Sequence, residues 1–276
     1  MNGLCQQNTA AIKHADILSK AHEGTFGGPV VKDRLWFFGA GRTTDQTVAR
    51  QTGYTNIPYE YGNKEQRSEL KLTHSLTGTQ RVEFAYTGVR QTQRNNAFPD
   101  TSSVMDLASL TTRKLPQDLL ALHYAGSFGS RFFLEGQYSA RSFSFVGDGG
   151  LTRDRILGTP IMDQTTGAFF WSPNFCGVCA DEQRNNRSLV LKGSYFLSTP
   201  RGSHAITFGY DGFNDQLRAD NHQSGSDYHV WATGSVIAGG AVYPVIRPGF
   251  STYIIHWPIR ESSKGTNFRT HGFFVI

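Results

Sequence analysis

The chain has 276 residues, a formal net charge of +5, 13% aromatic residues, 30 glycines and only 3 methionines. Abundant strand-favouring aromatics and turn-forming glycines, with few helix-forming blocks, predict an all-β protein long enough to bury a substantial core. Lysines and arginines are scattered singly, which excludes the basic stripe of a nucleic-acid binder. No apolar run of about 18 residues exists to cross a membrane as a helix, an exclusion that does not reach β-barrels.

Residues 1–23 open with MNGLCQQNTAAIKHADILSK, which lacks a basic region followed by an apolar core and so is no secretory signal; the segment receives no assignment. Next comes GTFGGPVVKDRLWFFGAGR, residues 24–42, whose glycines raise the question of a phosphate loop. A Walker loop needs Gly-Lys-Ser/Thr, and Lys32 is followed by Asp33; a dinucleotide fingerprint needs a helix after its glycines, and an aromatic run follows here. The segment reads instead as a turn entering a strand at 35–38.

Period-two alternation then recurs in pairs joined by very short links. SELKLTHSL carries Leu70, Leu72 and Leu76 on one face, and after a turn at 77–80 RVEFAYTG carries Val82, Phe84 and Tyr86. LLALHYAGSF (Leu120, Leu122, Tyr124) is linked through Gly129 and Ser130 to RFFLEGQYSAR (Phe132, Leu134, Tyr138). SLVLKGSYFL (Leu189, Leu191, Tyr195) is linked through 200–203 to HAITFGYDG (Ile206, Phe208, Tyr210). These read as three hairpins of one design, each with an apolar side. Two further strands are expected near 252–259 and 267–276.

Between the hairpins lie polar, turn-rich stretches at 43–63, 91–117 and 147–187, of about 20, nearly 30 and about 40 residues, much longer than an ordinary connection. Strict alternation of short and long connections fits an outer-membrane barrel, with short periplasmic turns and long extracellular loops, better than a soluble sandwich or propeller. Tyr86, Tyr138 and Tyr210 share parity and lie at similar distances past their short turns. At roughly 2.5 Å of rise per residue along the membrane normal they stand roughly 20 Å above the turns, where an aromatic girdle belongs. The opposite faces carry Lys71, Arg81, Glu83, His123, Glu135, Gln137, Lys192 and Asp211, read as solvated in a hydrated lumen or on the wet side of a sheet.

With these residues in place, the chain resembles the Oar-like TonB-dependent outer-membrane receptors. The resemblance is carried by GGPVVKDRLWFFGAGR, NFCGVCADEQRNNRS, LKGSYFLSTPRGSHAITFGYDGF and WPIRESSKGTNFRTHGFFV, which stand in family order. It implies that 24–276 form the N-terminal portion of a receptor barrel, incomplete at both ends: about nine strands of a larger antiparallel transmembrane β-barrel in the cell outer membrane. It implies that Gly27, Gly28, Pro29 and Asp33 form the junction between a plug and the first strand. It also implies as partners the outer-membrane lipid, the TonB energy-coupling protein acting through a plug, and an unknown extracellular ligand, without nucleic acid. A fragment of this kind is not expected to transport by itself.

Cys176 and Cys179 form a C-x-x-C in the longest polar stretch. The nearby Asp181, His222 and His229 lack ligand-like spacing, so a metal ranks last; in an outward-facing loop an oxidising compartment favours a disulfide over free thiols. No G-x-S-x-G or H-E-x-x-H occurs, so no enzyme and no cofactor is expected. The alternative to the receptor is a soluble β-sandwich module that binds a carbohydrate or another ligand through exposed aromatics.

Overall fold

The computed structural model describes residues 20–53, 55–97, 107, 110–147, 159–165, 167–170, 181–219, 226–238, 241–258 and 265–276. Nine strands make one antiparallel sheet: Lys20–Val31 (β1), Leu35–Gln51 (β2), Pro58–Thr77 (β3), Gln80–Asn96 (β4), Thr111–Phe128 (β5), Phe132–Phe145 (β6), Glu182–Thr199 (β9), Gly202–Arg218 (β10) and Thr266–Val275 (β15), in that spatial order. Between β6 and β9 lie Ile161–Asp163 (β7) and Ala168–Phe170 (β8). Between β10 and β15 lie Tyr228–Ala232 (β11), Ser235–Ala238 (β12), Ala241–Pro244 (β13) and Ile254–Pro258 (β14). Strands β14, β11, β7 and β8 form a second sheet, and β12 with β13 a third.

The three hairpins form as read, as β3 with β4, β5 with β6 and β9 with β10. A fourth tight connection, 32–34, joins β1 to β2. There Arg34 N donates to Val31 O at 3.0 Å and Asp33 sits at φ 59°, a left-handed conformation that aspartate tolerates. All four short turns share one end of the sheet, and the strand ends at Gln51 and Pro58, Asn96 and Thr111, Phe145 and Glu182, and Arg218 and Thr266 share the other. The fold is all-β and chiefly antiparallel, but it is an open sheet. Among the described residues β1 and β15 pair with one neighbour each, so the closure of a barrel is not part of it.

Three expectations need correction. The stretch 43–63 is mostly strand: β2 and β3 pair from Leu35 with His74 to Gln51 with Pro58, which leaves only 52–57 between them. Both faces of that stretch are mostly polar, as in Asp45 beside Lys64 and Gln46 beside Asn63, so the alternation that marks a half-buried strand is lost while the backbone ladder continues. The glycines and Pro29 lie inside β1 rather than in a turn. Gly27 pairs with Phe38, Gly28 with Phe37 and Pro29 with Trp36, followed by a bulge before Val31. An edge strand accepts proline because its outward N–H has no ladder partner to lose. Finally, the strand near 252–259 belongs to the second sheet, as β14, and the main sheet reaches nine strands by including β1.

The main sheet has little conventional core. Its buried apolar side chains are Tyr59 and Ala97 near the long-connection end, whereas Ile161, Val230 and Ala232 are buried in the second sheet. There β11 runs parallel to β7, Val230 beside Ile161 and Ala232 beside Asp163. The buried Asp163 carboxylate accepts Ser235 Oγ at 2.6 Å and the Thr165 N–H at 2.9 Å. Trp231 and Trp257 stack at 6.2 Å on the other side.

Close strand approach in the main sheet depends on particular glycines. A Cβ at Gly209 would meet Leu191 O at 2.5 Å as well as the Phe274 ring, whereas one at Gly28 would meet nothing. Gly209→Ala is therefore expected to cost about 1–3 kcal/mol, the usual penalty of overpacking, and Gly28→Ala nearly nothing, read as the shift in urea midpoint of the folded chain. Burial of His229 in β11 pushes its imidazole below the ordinary value of 6.5, because desolvation disfavours the cation. The unfolded chain then takes up a proton more readily than the folded one. This contribution to stability is whole above about pH 6.5 and is lost as the pH falls. Fluorescence of the Trp231–Trp257 pair should report loosening of the second sheet on acidification below that value, and His229→Gln should flatten the response.

Candidate functional site

Strand register sorts the main sheet into two unlike faces. One row runs Phe37, Leu72, Phe84, Leu122, Tyr138 and Leu189 across β2, β3, β4, β5, β6 and β9. The next row toward the short turns runs Tyr124, Gly136, Leu191, Tyr210 and Phe273, and the one after it Leu134, Gly193, Phe208 and Val275. Phe26 extends this face onto β1, opposite Gly39. Leu70, Leu122, Leu189, Leu191, Ile206 and Phe208 are each about two-fifths exposed, and Phe273 is 83% exposed. Apolar side chains from all nine strands thus share one face that no described element covers.

Aromatic rings cover backbone gaps on this face. Phe26 lies over Gly39, Tyr124 over Gly126, Phe208 over Gly193 and Tyr210 over Gly212. Ring-over-glycine packing of this kind shields the ladder where no Cβ can.

The opposite face carries the charges read from the sequence. Lys71 Nζ lies 2.9 Å from Glu83, which Arg81 also contacts, and Lys192 lies 3.6 Å from Glu135 across a paired position. Lys71, Arg81 and Lys192 are half-exposed, so each pair contributes at most about 1 kcal/mol. Trp36, Phe38 and Phe196 share this face, so it is mixed rather than wholly polar.

Tyr86, Tyr138 and Tyr210 all stand on the apolar face, at the side of the band away from the short turns. Tyr86 Oη donates to Asp118 Oδ1 at 2.5 Å, and Arg90 holds the same oxygen at 2.7 Å. Tyr210 Oη lies 2.7 Å from His271 Nδ1. Directly beyond these tyrosines the same face turns polar, with Asp118, Ser142, Asn185, Arg187, Asn214, Gln216, Asn267 and Arg269 around a cavity of about 430 Å³. Composition and motif reasoning did not find this group. The available signal was parity: Arg187 lies in phase with Leu189, and Asn214 with Tyr210.

Gly27, Gly28 and Pro29 form strand β1 and Asp33 the turn after it, far in sequence from the polar group. Cys176 and Cys179 lie outside the described residues. Among the described residues no three His, Cys, Asp or Glu side chains converge to hold a metal ion, and no helix is long and apolar enough to cross a membrane.

No family model matches the chain, and no curated protein matches it. Among solved structures, that of the outer membrane transporter YddB from Escherichia coli is similar over 93% of this chain and 31% of that one, with a TM-score of 0.53 and 11% identity. The chain therefore spans less than a third of the length of that transporter. At such identity the likeness is one of fold: the open antiparallel sheet of this protein is built like part of an outer-membrane β-barrel protein.

Proposed function

We propose that the nine-stranded sheet is a wall segment of an outer-membrane β-barrel of the transporter superfamily, with its apolar face toward lipid and its charged face toward a hydrated lumen. One observation carries this reading: a continuous exposed apolar face crosses all nine strands and gives way to polar residues beyond Tyr86, Tyr138 and Tyr210. Soluble monomers rarely expose an apolar patch larger than a few hundred Å², whereas a barrel wall requires one. The short turns then lie on the periplasmic side, and the second and third sheets on the outer side, where an unknown extracellular ligand would first be met.

The finer assignment, an Oar-like TonB-dependent receptor working with TonB through a plug, is supported by the four sequence segments given above. In it, Gly27, Gly28, Pro29 and Asp33 make the first hairpin after the plug, the three tyrosines make the outer aromatic girdle, and Cys176 and Cys179 pin an outer loop as a disulfide.

Two observations favour a second reading, a soluble β-sandwich module for a carbohydrate or other ligand. The sheet is open among the described residues, and the tightest core, around Val230 and Ala232, lies in the second sheet rather than the first. A soluble module would stay folded in water without detergent. A wall segment would need detergent or vesicles and would show heat-modifiable gel mobility there; a chain that remains soluble and folded in buffer alone overturns the membrane reading.

A charge scan separates the readings residue by residue. Ile206 lies about 10 Å above its turn at roughly 2.5 Å per residue, near the middle of an apolar band ~25 Å tall. Ile206→Arg on the apolar face should cost about 2–4 kcal/mol of stability in vesicles, and Ala205→Arg on the opposite face far less. In a soluble module both would stay within roughly 0.5 kcal/mol of the parent, as exposed substitutions do.

A further inference from the structure

We infer that the polar group beyond the tyrosines, centred on Arg187, Asn214 and Arg269, is a site for the phosphate of an anionic lipid headgroup; this rests on the reading of its face as lipid-facing. Asn214 of β10 pairs with Arg187 of β9 on one side and with Arg269 of β15 on the other, so the two arginines flank it in a single row. They share parity with Leu189, Tyr210 and Phe273, and therefore the apolar face.

Neither guanidinium has a hydrogen-bond or carboxylate partner among the described residues, while other arginines of the sheet, such as Arg81 and Arg90, are paired. Asn214 Oδ1 is buried without a partner. The amide's oxygen and nitrogen are interchangeable in placement, so the same position presents either an unmet acceptor or an N–H₂ donor. The cavity of about 430 Å³ beside them is lined further by Asn185, Gln216 and Asn267. Asp118 is the carboxylate on its wall, and Tyr86 and Arg90 already occupy it. A neighbouring cavity of about 240 Å³ shares Arg187, Asn214 and Arg269 and reaches Tyr138, Tyr210 and His271.

Two unpaired forked cations and several amide donors around one cavity suit a phosphate group, whose oxygens accept bidentate bonds from arginine. Position selects the source. The site opens where the exposed apolar rows end, so acyl chains attached to a bound phosphate would lie along Leu189, Leu191 and Phe208, whereas a free phosphate gains nothing from that surface.

The test uses the full chain folded in phosphatidylcholine vesicles doped with phosphatidic acid, extracted in mild detergent and weighed by native mass spectrometry with its retained lipid. The parent should retain phosphatidic acid with affinity about tenfold above that of the Arg187→Gln/Arg269→Gln variant, since each charge-assisted contact is worth more than a neutral one. Retention of phosphatidylcholine should be the same in both. Equal retention of phosphatidic acid by the variant overturns the site. Displacement by inorganic phosphate at the concentration of the lipid assigns the group to free phosphate and overturns the headgroup as its source. Should the double variant fail to reach the folded gel mobility, Arg269→Gln on the exposed edge strand β15 is read instead, with an expected loss of about threefold; no loss overturns the proposal. A parent chain that never enters vesicles overturns the membrane reading, and this one with it, and is distinguished by the gel shift before any lipid is counted.

Discussion

The backbone hydrogen-bond ladder across nine strands is the constraint from which the rest follows. The main sheet has no layer packed on either face among its described neighbours, so its peptide groups are satisfied almost entirely by adjacent strands. A sheet held in this way tolerates an apolar face, provided the surroundings are apolar too. It also explains the strand lengths. Strands of 17 to 20 residues, such as β2, β3, β4 and β10, hold long ladders, and in β4 the pairing continues past Val89, its last apolar side chain, because the ladder needs no hydrophobic partner to continue.

The ladder in turn depends on close strand approach, which the glycines permit. Gly209 lies against the Leu191 carbonyl and Gly27 against that of Phe37, distances at which a side chain would force the strands apart. On the apolar face the space above several glycines is filled by rings from the same or the neighbouring strand, so flexible backbone is shielded without a bulky residue at each point. The second sheet works by a different rule. It is small and parallel in part, and it draws on buried Val230, Ala232 and Ile161 with a satisfied carboxylate at Asp163, as an ordinary soluble core does. One chain thus combines a lattice stabilised by its ladder with a loop-borne unit stabilised by burial.

The proposed function divides along the same line: in that reading the apolar face is set against lipid, and the polar group around Arg187, Asn214 and Arg269 lies where the apolar rows end. The charged face, with Lys71, Glu83, Arg81, Glu135 and Lys192 paired in the open, has the hydrated character of a surface in contact with water.

The three hairpins were legible because period-two alternation and short polar links are local signals. The two-faced character of each strand, and the shared side of Tyr86, Tyr138 and Tyr210, followed from parity alone. The polar ends of β2 and β3 were not legible, since a strand wet on both sides has no alternation to read; only its partner reveals it. Strand β1 was hidden for a related reason: glycine and proline signal a turn locally, yet an edge strand accommodates them. The pairing of β7 with β11 joins residues some 70 apart in sequence and a few residues long, a length at which no pattern exists. Sequence by itself determined which side chains share a face, because that depends only on strand periodicity. Tertiary structure decided which strands are neighbours and that Arg187 and Arg269 meet across Asn214, because register between distant strands is set by the ladder as a whole.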